Sequence, residues 1–283
     1  MKHAFLLAAM LVTSAPAVAQ TLVGAGTPSG NTAVPVQIAA SQGIDWSQKT
    51  HTVTAIGNAK VVRGDVTITA DELIAHYAPQ KTKSSTSDGA DDLPVQGNAQ
   101  LTELEAVGHV HIYTATDNAW GDHAVYSIGQ QVLVLTGKHL KLTTAKDTVT
   151  ARDSIEYYVG QHKAIARGDA HINAADGRSI TADVIIGYFS TTPAQGADGS
   201  LEKVDAFGHV MITTQAETAS GHSGVYLPAT GEARLGGNVH ITHGGNQMSG
   251  ADALINTKTG TATLLSAPGK QVSGVILPNT EKN

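Results

Sequence analysis

The sequence predicts an all-β repeat protein of elongated build with little helix, and three observations carry that expectation. Apolar and polar residues alternate with period two in Val66-Thr67-Ile68-Thr69-Ala70, Val110-His111-Ile112-Tyr113 and Val210-Met211-Ile212-Thr213, the pattern of strands with one buried face. No stretch of helical length carries a 3.6-residue apolar stripe, and β-branched residues and glycines recur throughout. The third observation is internal repetition, at two levels.

The short unit opens with Gly, a polar or small residue, and an alternating strand. It recurs at Gly57-Asn58-Ala59, Gly108-His109-Val110, Gly137-Lys138-His139, Gly168-Asp169-Ala170, Gly208-His209-Val210 and Gly237-Asn238-Val239. A second strand usually follows and ends in a small residue and then Asp, as in Ile68-Thr69-Ala70-Asp71 and Ile180-Thr181-Ala182-Asp183. Gly supplies the turn, and Asp bonds backbone amides where the chain bends. The long unit is a duplication of about half the chain. Ala106-Val107-Gly108-His109-Val110 matches Ala206-Phe207-Gly208-His209-Val210, and Val125-Tyr126 matches Val225-Tyr226 at the same offset. Upstream, Ile68–Tyr77 matches Ile180–Tyr188 with one residue deleted, and after Gly137 and Gly237 the inward parity slips by one. Gly-started strand pairs stack most naturally into a quasi-one-dimensional sheet whose open terminal edges invite pairing.

In chain order, residues 1–19 read as a cleaved signal peptide: Lys2, the apolar run Ala4–Val12 and the small-residue pattern Ala17-Val18-Ala19. The run is shorter than the roughly 20 residues of a spanning helix. Residues 20–42 are small and polar and read as a flexible leader, with folding expected to begin near Ile44. The first β unit is expected over residues 43–165 and the second over 166–283, closing on an edge strand at Val272–Leu277. Ala78–Gly97 and Thr191–Ser200 have the composition of loops.

The absence of cysteine in an exported chain means that the sheet, not disulfides, carries stability. A net charge of −6 and 4% aromatic residues argue against a nucleic-acid partner. Thirteen histidines invite a metal hypothesis, and His109 and His111 share a strand face, but that face lies opposite Val110 and Ile112 and reads as hydrated. His240 and His243 are spaced for neither a strand face nor a ligand pair. Gly221-His222-Ser223-Gly224 lacks the order and the strand-to-helix turn of a nucleophile elbow. Asp71-Glu72 sits at the repeated turn, Asp91-Asp92 in a polar loop, and no phosphate-binding glycine loop is present. No catalytic residue, metal or cofactor is expected. The remaining feature is an apolar face formed by Val61, Val66, Ile68, Val110, Ile112, Leu140, Leu142, Val149, Ile155, Ile172, Ile180, Val210, Ile212, Val239 and Ile241. It is either an ordinary core or a groove that holds an acyl chain.

The repeated residues resemble the periplasmic lipopolysaccharide-transport protein A family (LptA, formerly OstA, organic solvent tolerance protein A). Thr54-Ala55-Ile56-Gly57-Asn58-Ala59, Ile68–Leu73, Gly121–Tyr126, Val134–Gly137, Val149–Asp153 and the tail Gly269–Pro278 carry the resemblance. It implies an elongated, open β-jellyroll, here with the unit twice, and a periplasmic bridge that carries lipopolysaccharide from the inner to the outer membrane. The implied partners are lipid A acyl chains, an LptC-like inner-membrane protein, an LptD-like outer-membrane translocon, and further copies joined head to tail. Val272, Val275, Ile276 and Leu277 are the edge-strand assembly candidates. The reading from another class is a structural or adhesive β-solenoid of the envelope. The physics suits the carrier: burying one CH₂ is worth about 0.8 kcal/mol, so exposing an acyl chain of about a dozen carbons costs on the order of 10 kcal/mol.

Overall fold

The computed structural model describes residues 36–79, 99–190, 201–259 and 261–277. The signal peptide expected at residues 1–19, residues 20–35 of the expected leader, Asp91-Asp92 and nearly all of the two expected loops lie outside the described residues. Within them the chain is all-β and antiparallel, with eighteen strands and one short 3₁₀ turn at Val159–Gln161. No described helix is long and apolar enough to cross a membrane.

The described residues form two compact units, one of residues 36–140 and 156–161, the other of 141–155 and 162–277. The chain thus changes unit three times between Leu140 and His162, where the sequence suggested one division after residue 165. Strand pairing is the reason: residues 147–151 bond to the strand that starts at Lys163, whereas the Val159 N–H donates to Gln131 O in the first unit at 2.9 Å.

The first unit holds β1 (Val36–Ala39), β2 (Gly43–Ser47), β3 (Thr52–Arg63), β4 (Val66–Pro79), β5 (Ala99–Tyr113), β6 (Asn118–Ser127) and β7 (Val132–Thr136). β3 to β7 form an antiparallel meander. β1 and β2 both lie along the free edge of β3, covering its two halves. β1 falls inside the stretch read as a leader: Val36-Gln37-Ile38 alternates, but over only four residues beside a Gly/Thr/Pro-rich segment, and its pairing with Val61 makes it a strand. Next come β8 (Leu140–Thr143), β9 (Asp147–Ala151) and β10 (Ser154–Tyr158). The second unit continues with β11 (Lys163–Ala174), β12 (Ser179–Phe189), β13 (Leu201–Thr213), β14 (Glu217–Leu227), β15 (Glu232–His243), β16 (Asn246–Asn256), β17 (Thr261–Leu265) and β18 (Ser273–Val275). β9 and β11 to β16 are antiparallel neighbours in that order, and β17 and β18 share the far edge of β16 as β1 and β2 share that of β3.

The Gly-polar repeats are β-bulges. Register shifts by one at Gly57-Asn58, Gly108-His109, Gly168-Asp169, Gly208-His209 and Gly237-Asn238, and both residues of each pair have positive φ. Asn, His and Asp are the non-glycine residues that tolerate this region best, which explains the residue types in the second position. Each bulge bends its strand and raises its twist. The Asp of the repeat sits across the neighbouring strand: Asp71 lies against Gly108 and hydrogen-bonds His109 Nδ1 at 2.8 Å, and Asp183 does the same for Gly208 and His209 at 2.9 Å. Gly137, followed by Lys138, is different. It lacks the paired positive φ, so β7 ends at Thr136, whereas the matching β15 runs unbroken through Gly237. This is the physical form of the parity slip.

A second repeated device was not singled out in the sequence. At three hairpins a Thr hydroxyl caps the turn: Thr114, Thr144 and Thr214 each accept the N–H groups two and three residues on, Thr114 from Thr116 and Asp117 at 3.1 and 3.0 Å. Thr114 and Asp117 are buried. Thr114→Val keeps the shape and orphans these donors, so urea denaturation is expected to show a loss of about 1–3 kcal/mol. An unchanged midpoint would mean that water replaces the hydroxyl.

Candidate functional site

Cross-strand pairing assembles, on the more buried face, side chains that are far apart in sequence, while Phe207, Met211, Val225 and Leu254 stay exposed. In the first unit, Cα pairing places Ile38, Val61, Ile68, Ile112 and Ala119 side by side on five successive strands, from an exposed Ile38 at the edge to buried Ile112 and Ala119. In the second unit, Val149, Ile172, Ile180, Ile212, Ala219, Ile241 and Met248 do so on seven. At about 4.8 Å per strand these apolar rows run roughly 19 and 29 Å across their sheets. Two residues along, Val110, Val210 and Val239 face Gly121, Gly221 and Gly250, so a large residue meets a small one beside each bulge.

Of the predicted apolar residues, Val110, Ile112, Leu140, Leu142, Val149, Val210, Val239 and Ile241 are buried, and Val61, Val66, Ile68, Ile155, Ile172, Ile180 and Ile212 are half-buried. Reasoning on the sequence missed Ile165, Ile185, Phe189, Val204, Leu133, Leu135 and Leu235, all buried; their alternation was present but diluted by alanine and glycine. The interior is packed. The apolar cavity that touches Ile180, Val210 and Ile212 measures about 20 Å³, room for one water. An acyl chain enters such a layer only by parting its side chains. A separate open cleft of about 480 Å³ lies among the turns of the second unit, lined by Arg178, Glu217 and Lys258, and mixes both charges.

The edge-strand candidates are exposed apolar residues. Val272, Val275, Ile276 and Leu277 are 42, 62, 74 and 62% exposed, and only Ser273–Val275 is strand, bonded along one edge to Gln247–Ser249. The Leu277 N–H donates to Asn246 Oδ1 at 2.9 Å. The described residues supply no partner for the outer edges of β17 and β18.

The polar constellations resolve into structural contacts. The Asp71 carboxylate raises the pKa of the exposed His109 imidazole above its ordinary value by a hydrogen bond. His111 does not face open solvent: its ring stacks on Tyr113 and Trp120 at 4.6 and 4.9 Å and hydrogen-bonds Asn118 Oδ1 at 3.0 Å. His222 Nδ1 is bonded to Gly237 O at 2.6 Å rather than to Ser223. His240 pairs with Ser249 Oγ at 2.8 Å, while His243 stands 3.9 Å from Glu217.

The register also corrects the duplication. Ile68, Ile74 and His76 face Ile112, Glu105 and Glu103, and Ile180, Ile186 and Tyr188 face Ile212, Asp205 and Lys203. The copies therefore align without a deletion, His76 with Tyr188 and Tyr77 with Phe189, and each has a second register shift at that point.

Residues 37–163 match the protein family described as LptA/(LptD N-terminal domain) LPS transport protein. The matched residues take in the whole apolar row from Ile38 to Ala119. The match is to the same family that the repeated residues resemble, and it does not single out a member. Among solved structures the chain is similar to LptH from Pseudomonas aeruginosa, described as the LptA-homologous periplasmic component of the conserved lipopolysaccharide transport device. Identity is 19% and the TM-score 0.40, over 47% of this chain and 95% of that one. No curated protein matches the sequence.

Proposed function

We propose that this chain is a periplasmic lipopolysaccharide carrier, a bridge protein that passes lipopolysaccharide from the inner toward the outer membrane and has no catalytic residue of its own. The observation that carries this reading is the apolar row that crosses every long strand of the matched segment and recurs in the second unit. Neighbouring positions along a row are chemically alike, so an acyl chain moves along it by small steps and never meets water at the on-the-order-of-10 kcal/mol cost of exposure. LptC-like and LptD-like proteins are the partners this reading implies.

A photo-reactive residue at Ile112 or Ile212 is expected to crosslink lipopolysaccharide, and one at the outward His109 or His209 is not. Circular dichroism of each variant comes first, since lost folding mimics lost binding. Equal crosslinking from both faces would mean adsorption. No crosslinking from a folded protein at either inward position would favour a structural β-solenoid of the envelope.

Head-to-tail assembly is supported by the half-covered edge strands and the exposed apolar residues of the tail. Light scattering is expected to show concentration-dependent growth that disappears when residues 269–283 are removed. Growth that survives the truncation would place the contact elsewhere.

A further inference from the structure

The outward face of the first unit carries a cluster that strand pairing creates and the second unit lacks. His76 on β4 lies directly across from Glu103 on β5, Glu105 stands two residues along the same face, and His123 projects from β6 beside it. His76 Nε2 is 3.3 Å from Glu105 Oε2, and His123 Nε2 is 2.7 Å from Glu105 Oε1. One ligand atom from each of His76, Glu103 and Glu105 falls within 4.8 Å of the others. All four side chains are half-buried. The hydrogen bond from His123 is the main reason that the Glu105 carboxyl is held below its ordinary range.

The duplication supplies an internal comparison. At the corresponding positions the second unit has Tyr188, Lys203, Asp205 and Ser223. There the Lys203 ammonium pairs with Asp205 at 2.9 Å and lies over the Tyr188 ring at 4.9 Å. A cation is thus built into the second copy. In the first copy a second carboxylate, Glu103, takes the place of the lysine, two imidazoles replace Tyr and Ser, and none of the four residues is Lys or Arg. The surrounding Ile74, Ala106, Gly108, His109, Val110, Val125 and Tyr126 keep the same residue types at Ile186, Ala206, Gly208, His209, Val210, Val225 and Tyr226.

We propose that His76, Glu103 and Glu105 bind a divalent transition-metal ion, with Zn²⁺ the best match, and that His123 orients Glu105 from its other oxygen. Imidazole with carboxylate is a donor set for zinc, and ligands about 2.0–2.2 Å from a tetrahedral ion sit about 3.3 Å apart, close to the His76–Glu105 separation. His123 on the far oxygen is the outer hydrogen bond that fixes a coordinating carboxylate. The backbone under His76 is fixed as well: β5 carries an extra residue there, and the Thr102 hydroxyl donates to His76 O at 3.0 Å. The ion ties β4 to β5 and supplies the charge that Lys203 supplies in the second unit.

Calorimetric titration of the tag-free, chelator-treated full chain with ZnCl₂ tests this. One saturable equivalent is expected, together with the visible absorption of a tetrahedral site when Co²⁺ is used instead. His76→Ala and Glu105→Gln should abolish the Co²⁺ band, His123→Ala should weaken Zn²⁺ binding about tenfold, and His109→Ala should change neither. Glu103→Lys copies the arrangement that already folds in the second unit, so its loss of binding with an unchanged circular-dichroism spectrum separates ligand loss from misfolding. Absence of Zn²⁺ binding, or equal binding by the native chain and the His76→Ala/Glu105→Gln double variant, would overturn the proposal.

Discussion

Val210→Asp is expected to cost the second unit roughly 4–5 kcal/mol near neutral pH, the largest effect of any single substitution considered. Val210 is 1% exposed, faces Gly221 across the strand pair, and lines a small, mostly apolar cavity that holds one water at most, so a carboxylate there is largely stripped of solvent. Burial raises the folded-state pKa of such a group above its unfolded value of about 3.9. The penalty is therefore full above the folded pKa and shrinks as pH falls toward the unfolded one. Urea denaturation at two pH values checks both the size and the sign. Val210→Ala removes two methyl groups and should cost only about 1–2 kcal/mol with no pH dependence. A small, pH-independent loss for Val210→Asp would show that water reaches the layer, which would also weaken the case for a dry acyl path.

Gly108→Ala is the second large effect, at about 2–4 kcal/mol. Gly108 has φ +75°, and a Cβ there would overlap the Asp71 carboxylate. The backbone term is about 1–2 kcal/mol for an L-residue held in the left-handed region, and displacing Asp71 adds the His109 hydrogen bond and a steric shift. The steric part belongs to the pair, so Asp71→Ala combined with Gly108→Ala should lose less than the sum of the two single variants. Strict additivity would mean that the glycine is required for its φ alone.

The bulges show how much of this fold is written locally. The repeat locates the irregularity, but the glycine expected to supply a turn at the start of a strand lies inside a continuous strand, as Gly57 does in β3, because the strand pairs with its neighbour on both sides of the bulge. The alternation on each side marks which residues point inward. The alternation is a property of a few neighbouring residues, whereas a bulge differs from a turn only in that the partner strand continues past it. The Asp of the repeat was read as a turn residue. It bonds instead across to the next strand's bulge, because its own strand continues past it, as β4 does from Asp71 to Pro79. β1 differs in kind: its alternating Val36 and Ile38 span too few residues to stand out from the leader, and the free edge of β3 supplies the partner that makes them a strand.

By itself, then, the sequence determined the all-β class, the places where the Gly-polar repeat interrupts the alternation and part of the inward face, since alternation and backbone preference act over a few bonds. The tertiary structure alone decided which inward residues meet. Cross-strand register aligns Val61, Ile68 and Ile112 into one row, and the same register brings His76 from β4, Glu103 and Glu105 from β5 and His123 from β6 together on the opposite face. Those contacts depend on which strands pair and where each bulge shifts them, and a side chain's neighbours across a sheet leave no mark on its neighbours along the chain.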